Sequence, residues 1–227
     1  DLTWEVREGM VKHESEYDVS DASDYDPDLR GNLETQIANI SDELAYTAHD
    51  LDDGLRSGMI TPSQLEGIAL WEILAERYNW RGPILDDMTR HRMIRHLVGI
   101  EVSDAINTTE LRLKESGADS PLALQKLPYN VIGHSEDMTR RNRELKDFLY
   151  SKLYRHPRVV RMAVKAERII GDLFNAYLSE PAILPAHVQA LSEKRGIERI
   201  ICDYIAGMTD RYAVDEHRKL FDPFIKP

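Results

Sequence analysis

Within the run Ile40-Ser41-Asp42-Glu43-Leu44-Ala45-Tyr46-Thr47-Ala48-His49-Asp50-Leu51-Asp52-Asp53, an Asp, a Tyr and an Asp recur at intervals of four. On a helix, residues four apart stand one turn above one another, so Asp42, Tyr46 and Asp50 share a face. Asp53 falls close to the same line. At about 100° of turn per residue, this face lies roughly opposite an apolar stripe on the same segment. A carboxylate can ligate a hard divalent cation. A tyrosine one turn on can hydrogen-bond a phosphate or a sugar, and a second carboxylate can accept from a hydroxyl. The other reading is an acidic face that simply meets water, and the spacing alone does not choose between them.

The elements that must position these residues read as helices throughout. A helix begins near Leu33 with Ile37, Ile40, Leu44, Leu51 and Leu55 as its stripe, and Gly58 stops it. Thr61-Pro62 restarts a helix that runs to about Tyr78, with Leu65, Ile68, Ala69 and Ile73 on one face. Arg81-Gly82-Pro83 interrupts. A long helix follows from about Leu85 to Glu115, with Ile94, Leu97, Val98, Ala105, Ile106 and Leu113 inward and Gly117 at its end. A short element lies near Leu122–Lys126. Ser135 caps the next helix, which carries Met138, Leu145, Leu149 and Leu153 up to the break at His156-Pro157. Val159 to Tyr177 places Met162, Ile169, Ile170, Leu173 and Phe174 inward, and short helices follow to about Leu220. At the other end, Thr3 caps a helix with Val6, Met10 and Val11 as its apolar edge, and residues 14–32 read as an acidic loop. The expected fold is all-α, one domain across residues 1–227.

The formal net charge of −11 argues against non-specific nucleic-acid binding as the main activity. A few local cations or a metal still suffice for a phosphate-bearing ligand. The acids crowd into the first ~55 residues, while Arg140 to Arg168 is basic and reads first as a solvated helix face. The single cysteine, Cys202, excludes an internal disulfide and sits on an apolar helix edge, where burial is expected. No apolar run reaches membrane-spanning length and no phosphate-cradling glycine loop is present. With no secretory signal at the start, a cytoplasmic protein is expected. The chain opens on Asp1 in what reads as the approach to a helix, which suggests a start inside a longer protein.

Several segments in order carry a resemblance. Ile40-Ser41-Asp42-Glu43 with Ala45-Tyr46 and Asp50-Leu51-Asp52-Asp53-Gly54-Leu55 resembles the fourth metal-ligand helix of the dGTPase-like triphosphohydrolases, in the HD-domain superfamily. Leu2 to Gly9 with Lys12-His13, Asn142 to Lys146 with Phe148-Leu149-Tyr150, Tyr154-Arg155-His156-Pro157, and Asp203 to Ala213 resemble other stretches of that family. The resemblance implies an HD-type helical bundle that, as the C-terminal portion of a longer enzyme, lacks its N-terminal helices. That enzyme would cleave a deoxynucleoside triphosphate to deoxynucleoside and inorganic triphosphate with Mg2+ or Mn2+, as a homo-oligomer. It implies Asp42 as a metal ligand, Tyr46 as a phosphate contact, Asp50 as the acceptor of the sugar 3′-hydroxyl and, within different flanking residues, Lys12 as a phosphate contact. Glu43 would be structural. The family's first His and its His-Asp pair are absent, since the one His-Asp dipeptide, His49-Asp50, lies inside the later helix. The chain alone is therefore expected to be inactive, its remaining ligands lying in an N-terminal portion. The alternative is a non-catalytic helical interaction or regulatory module, and a third reading is a related phosphohydrolase acting on another nucleotide.

Overall fold

The computed structural model describes residues 1–13, 24–82 and 84–226. Much of the expected acidic loop at 14–32, and Pro83, lie outside the described residues. The protein is 72% helical, and no strand occurs among the described residues. The helices gather into two compact units, Asp1–Arg155 and His156–Pro227, where the sequence reading drew one domain.

The first unit holds α1 (Trp4–Val11), α2 (Leu33–Arg56), α3 (Ala69–Arg77), α4 (Asp87–Ser116), α5 (Pro121–Gln125) and α6 (Glu136–Leu149). Leu51, Leu65, Leu70, Trp71, Leu74, Met93, Leu97 and Leu145 form its core, each nearly inaccessible to solvent. Local chemistry sets the ends. The Asn32, Asp86 and Ser135 side chains accept the backbone N–H of Thr35, Thr89 and Met138 and so cap α2, α4 and α6. Gly117, at φ 61°, ends α4 in the left-handed conformation that glycine adopts without strain. At its C-terminal end α2 passes so near Ile60 that a Cβ on Gly54 would lie 2.5 Å from the Ile60 Cδ1.

The second unit holds α7 (Pro157–Ser179), α8 (Ala186–Gln189), α9 (Ser192–Arg195), α10 (Ile197–Ala206) and α11 (Asp210–Phe221). Its core is Leu173, Tyr177, Leu184, Val188, Ile200 and Ile201.

Several local expectations are corrected. The Thr61-Pro62 restart gives only a 3-10 turn, Pro62–Leu65, and α3 starts afresh at Ala69 because Gly67 takes a positive φ of 89°. On α4 the inward residues are Arg90, Met93, Leu97, Glu101 and Ala105, so Ile106 and Leu113 face out. Two charged residues hold inward positions there, and hydropathy rotated the expected face away from them. Met162 and Ile170 on α7, Ile37 on α2, and Val6 and Met10 on α1 are exposed as well. So is Cys202. Trp71 is buried as a packing residue should be, but Trp4 is largely exposed, with its ring 4.7 Å from that of Tyr25.

Candidate functional site

A cleft of about 1190 Å³ opens within the first unit. One wall is α2, which presents Asp42, Tyr46 and Asp50 together as the four-residue spacing requires. A second wall is α6, where Arg140, Arg143 and Lys146 follow at intervals of three. The segment from Asn130 to His134 supplies a third side. The cleft thus sets a carboxylate-and-tyrosine wall against a cationic one. Glu43 ties the two, because its carboxylate pairs with the Lys146 ammonium.

Asp42 is partly exposed, with one oxygen 3.8 Å from Nε2 of His13. Tyr46 is well exposed at the cleft mouth. Asp50 is more enclosed and accepts a hydrogen bond from the Tyr154 hydroxyl. Tyr154 reaches it from a π-helical turn, Tyr150–Tyr154, that continues α6 with the Arg155 N–H on the Tyr150 carbonyl at 3.2 Å. Such widened turns are rare and concentrate at functional positions.

Lys12 stands elsewhere. Its ammonium, with the side chain 8% exposed, donates to the Glu8 carboxylate and to the Asp26 and Leu29 carbonyls, each at 2.8 Å. It fastens α1 to the segment before α2 and does not line the cleft. Asp53 does not line it either, and the neighbouring Asp52 is spent on Arg90 at 2.7 Å.

Four residues that matter here were not among the expected site residues. Glu101 of α4 is fully buried, and neither of its oxygens has a hydrogen-bond partner of good geometry among the described residues. Burial, then the Glu43 charge, raise its carboxyl to about 8 against the opposing pull of Asn142 and Lys146. Asn142, which lines the cleft from α6, has an unpartnered buried Oδ1. Asp104, three residues after Glu101, takes the Nδ1 of His134 at 3.1 Å, the Ser135 N–H at 2.9 Å and the Ser135 hydroxyl. Burial pushes the Asp104 carboxyl up, but the bonds from Ser135 and His134 outweigh it and hold it below its ordinary value. Tyr154 is the fourth. The spacing Leu97, Glu101, Ala105 put Glu101 in phase with the core, which was the available signal. Nothing in the periodicity announces a π turn.

Among the described residues no three His, Cys, Asp or Glu side chains gather closely enough to hold a metal ion. His13 and Asp42 make a pair at most, so the donors present do not fit a complete cation site. Two other histidines have structural partners: His217 bonds Asp172 at 2.9 Å and His156 caps α7. In the second unit, Arg161, Lys165, Arg168 and Arg218 frame a separate apolar hollow of about 540 Å³ between α7 and α11. Three residues of the basic run thus share one side of α7. No helix among the described residues is long and apolar enough to cross a membrane.

The all-α architecture fits an HD-type helical fold, and the family model described as a phosphohydrolase-associated domain matches residues 132–219. The chain is 42% identical over 226 residues to a deoxyguanosinetriphosphate triphosphohydrolase-like protein of Geobacter sulfurreducens, covering 98% of this chain and 59% of the relative. It is 44% identical to the protein of the same description in Geobacter metallireducens, with the same coverage. A third such relative, from Ralstonia pickettii, is 40% identical across 97% of this chain and 58% of its own length. Over nearly its whole length the chain is similar to the C-terminal part of these deoxyguanosinetriphosphate triphosphohydrolase-like relatives, and it spans somewhat under two thirds of their length.

Proposed function

We propose that this chain supplies the sugar-and-phosphate half of a site that hydrolyses a deoxynucleoside triphosphate to deoxynucleoside and inorganic triphosphate. The carrying observation is the single cleft in which Asp42, Tyr46 and Asp50 face Arg140, Arg143 and Lys146. Cations at hydrogen-bonding range of phosphate oxygens are the strong, charge-assisted kind of contact. Lys146 and the two arginines meet the polyphosphate, and the Tyr46 hydroxyl donates to it. Asp50, its second oxygen oriented by Tyr154, accepts from the 3′-hydroxyl. Asp42 is proposed as one ligand of a Mg2+ or Mn2+ ion. Because the donors of this chain do not complete such a site, no step is assigned to the ion here. The remaining ligands are proposed to lie in the part of the relatives' length that this chain does not span. The working enzyme is proposed to be a cytoplasmic homo-oligomer.

Titration of the chain with inorganic tripolyphosphate by calorimetry tests this. Binding is expected, weakened about tenfold by Lys146→Met. Binding that ignores Lys146→Met, or no binding, removes the phosphate half of the proposal. With Mn2+ and each of the four dNTPs, this chain alone is expected to release no triphosphate, and release would show its own donors to be sufficient. The incomplete donor set also favours a second reading, a non-catalytic helical module. That reading predicts neither tripolyphosphate nor dNTP binding. Lys12 is not carried into the proposal, because its three hydrogen bonds hold it away from the cleft.

A further inference from the structure

The loop between α5 and α6 is held with unusual thoroughness for a connecting segment. Arg112 of α4 donates to the His134 carbonyl at 2.8 Å and to the Asn130 carbonyl at 3.3 Å. The Ile132 N–H reaches the Gln36 amide oxygen at 3.1 Å, and the Gly133 N–H reaches the Thr109 hydroxyl at 3.4 Å. Gly133 allows the close approach, since a Cβ there would lie 2.5 Å from an Arg112 nitrogen. This bracing fixes His134, which lines the cleft with its side chain only 8% exposed.

The His134 ring is oriented from one side. Asp104 also accepts from Ser135, and as an ionised carboxylate it can only accept, so Nδ1 carries the hydrogen in that contact. In its neutral form the ring then presents a bare Nε2, an acceptor. That atom is buried and has no hydrogen-bond partner among the described residues. A buried acceptor without a partner bears the full desolvation penalty, so it calls for a ligand or a water. The Asp104–His134–Ser135 contacts already account for the cap of α6. They leave Nε2 unexplained.

We infer that His134 reads the nucleoside part of the ligand, accepting through Nε2 from an N–H or O–H of the base or sugar. Phosphate oxygens offer acceptors and cannot satisfy the bare Nε2 of the neutral ring, so the polyphosphate is excluded as the partner of that form. The inference rests on the proposed function of the cleft and deepens it by separating the residues that hold phosphate from one that senses what the phosphate is attached to. A site that hydrogen-bonds a donor group discriminates strongly against ligands lacking it, because the buried acceptor is otherwise stranded.

The test compares two probes, dGTP and inorganic tripolyphosphate, binding to the full 227-residue chain in metal-free buffer. His134→Phe keeps the ring volume and removes both nitrogens. It should weaken dGTP about tenfold and leave tripolyphosphate unchanged, since one hydrogen bond is lost from one probe only. His134→Gln, which restores an acceptor, should recover part of the dGTP affinity. If the variants do not fold, the ring nitrogens of His134 in the wild-type protein serve instead, and the Nε2 resonance should move with dGTP and not with tripolyphosphate. Equal losses for both probes, no loss for either, or an Nε2 signal that follows tripolyphosphate would each overturn the inference while leaving the phosphate half of the cleft standing. Failure of the wild-type chain to bind either probe would overturn the proposed function, and this inference with it.

Discussion

Glu101, fully buried on α4, ties the stability of the first unit to pH. In the fold it keeps its proton until about pH 8, whereas in the unfolded chain it ionises as an ordinary glutamate. The unfolded state therefore binds fewer protons across that interval. The stability that is complete below the ordinary carboxyl range drains away as pH climbs toward 8. Glu101→Gln, which cannot ionise, should escape this loss. Urea unfolding should find the variant gaining on the wild type by on the order of 2–4 kcal/mol between pH 4.5 and pH 8. Curves that stay parallel over that range would show Glu101 to be charged in the fold. Asp104 works in the opposite direction, its stabilisation fading as pH falls through its lowered value, and that contribution is common to both proteins.

At the scale of elements, the end of α2 offers the sharpest test. Gly54→Ala brings a gain in helix propensity of about 1 kcal/mol but drives a methyl into Ile60, which is 1% exposed and has little room to yield. A net loss of about 1–2 kcal/mol is expected. Ile60→Val removes the clashing Cδ1 at a cost of about 1 kcal/mol alone. In the double variant the two losses should fall short of their sum by about 1 kcal/mol, which a double-mutant cycle in urea resolves. Strict additivity would mean that Gly54 is there for some reason other than Ile60. The same helix shows what the sequence made legible. The four-residue recurrence of Asp42, Tyr46 and Asp50 was enough to place all three on one wall, because it depends only on helical geometry. The caps Thr3, Ser135 and Gly117 were legible for the same reason. The inward-facing polar residues of α4 and α6 were not. Arg90, Glu101 and Asn142 are polar residues facing inward, against the hydropathy used to find a helix's buried face. Asp52, the partner of Arg90, and the Glu43 and Lys146 charges that act on Glu101 lie far from them in sequence, beyond the reach of a local pattern. Lys12 was placed by resemblance alone, and its hydrogen bonds to the Asp26 and Leu29 carbonyls depend on a long-range contact that no spacing encodes.

Over the whole molecule, every residue of the cleft comes from the first unit, while the second has a core of its own. Leu173→Ala, at a position with no solvent exposure, should cost the second unit about 2–5 kcal/mol. Tripolyphosphate affinity should change by less than about twofold, as expected of independent sites. A large loss of affinity would instead show the two units to be thermodynamically coupled. The acids also concentrate in the first unit, so the cationic wall of α6 acts against the sign of its surroundings and must bind by short contacts, not by a long-range field. One contact in that unit has an optical consequence. Tyr154 gives its hydroxyl hydrogen to Asp50, the carboxylate proposed to receive the sugar. A ligand that engages Asp50 changes the electronic surroundings of that phenol, while Trp71 and Trp80 stand outside the cleft as a constant background. The protein would thus carry an unlabelled near-ultraviolet reporter of its own occupancy, with Tyr46 answering to the polyphosphate and Tyr154 to the sugar.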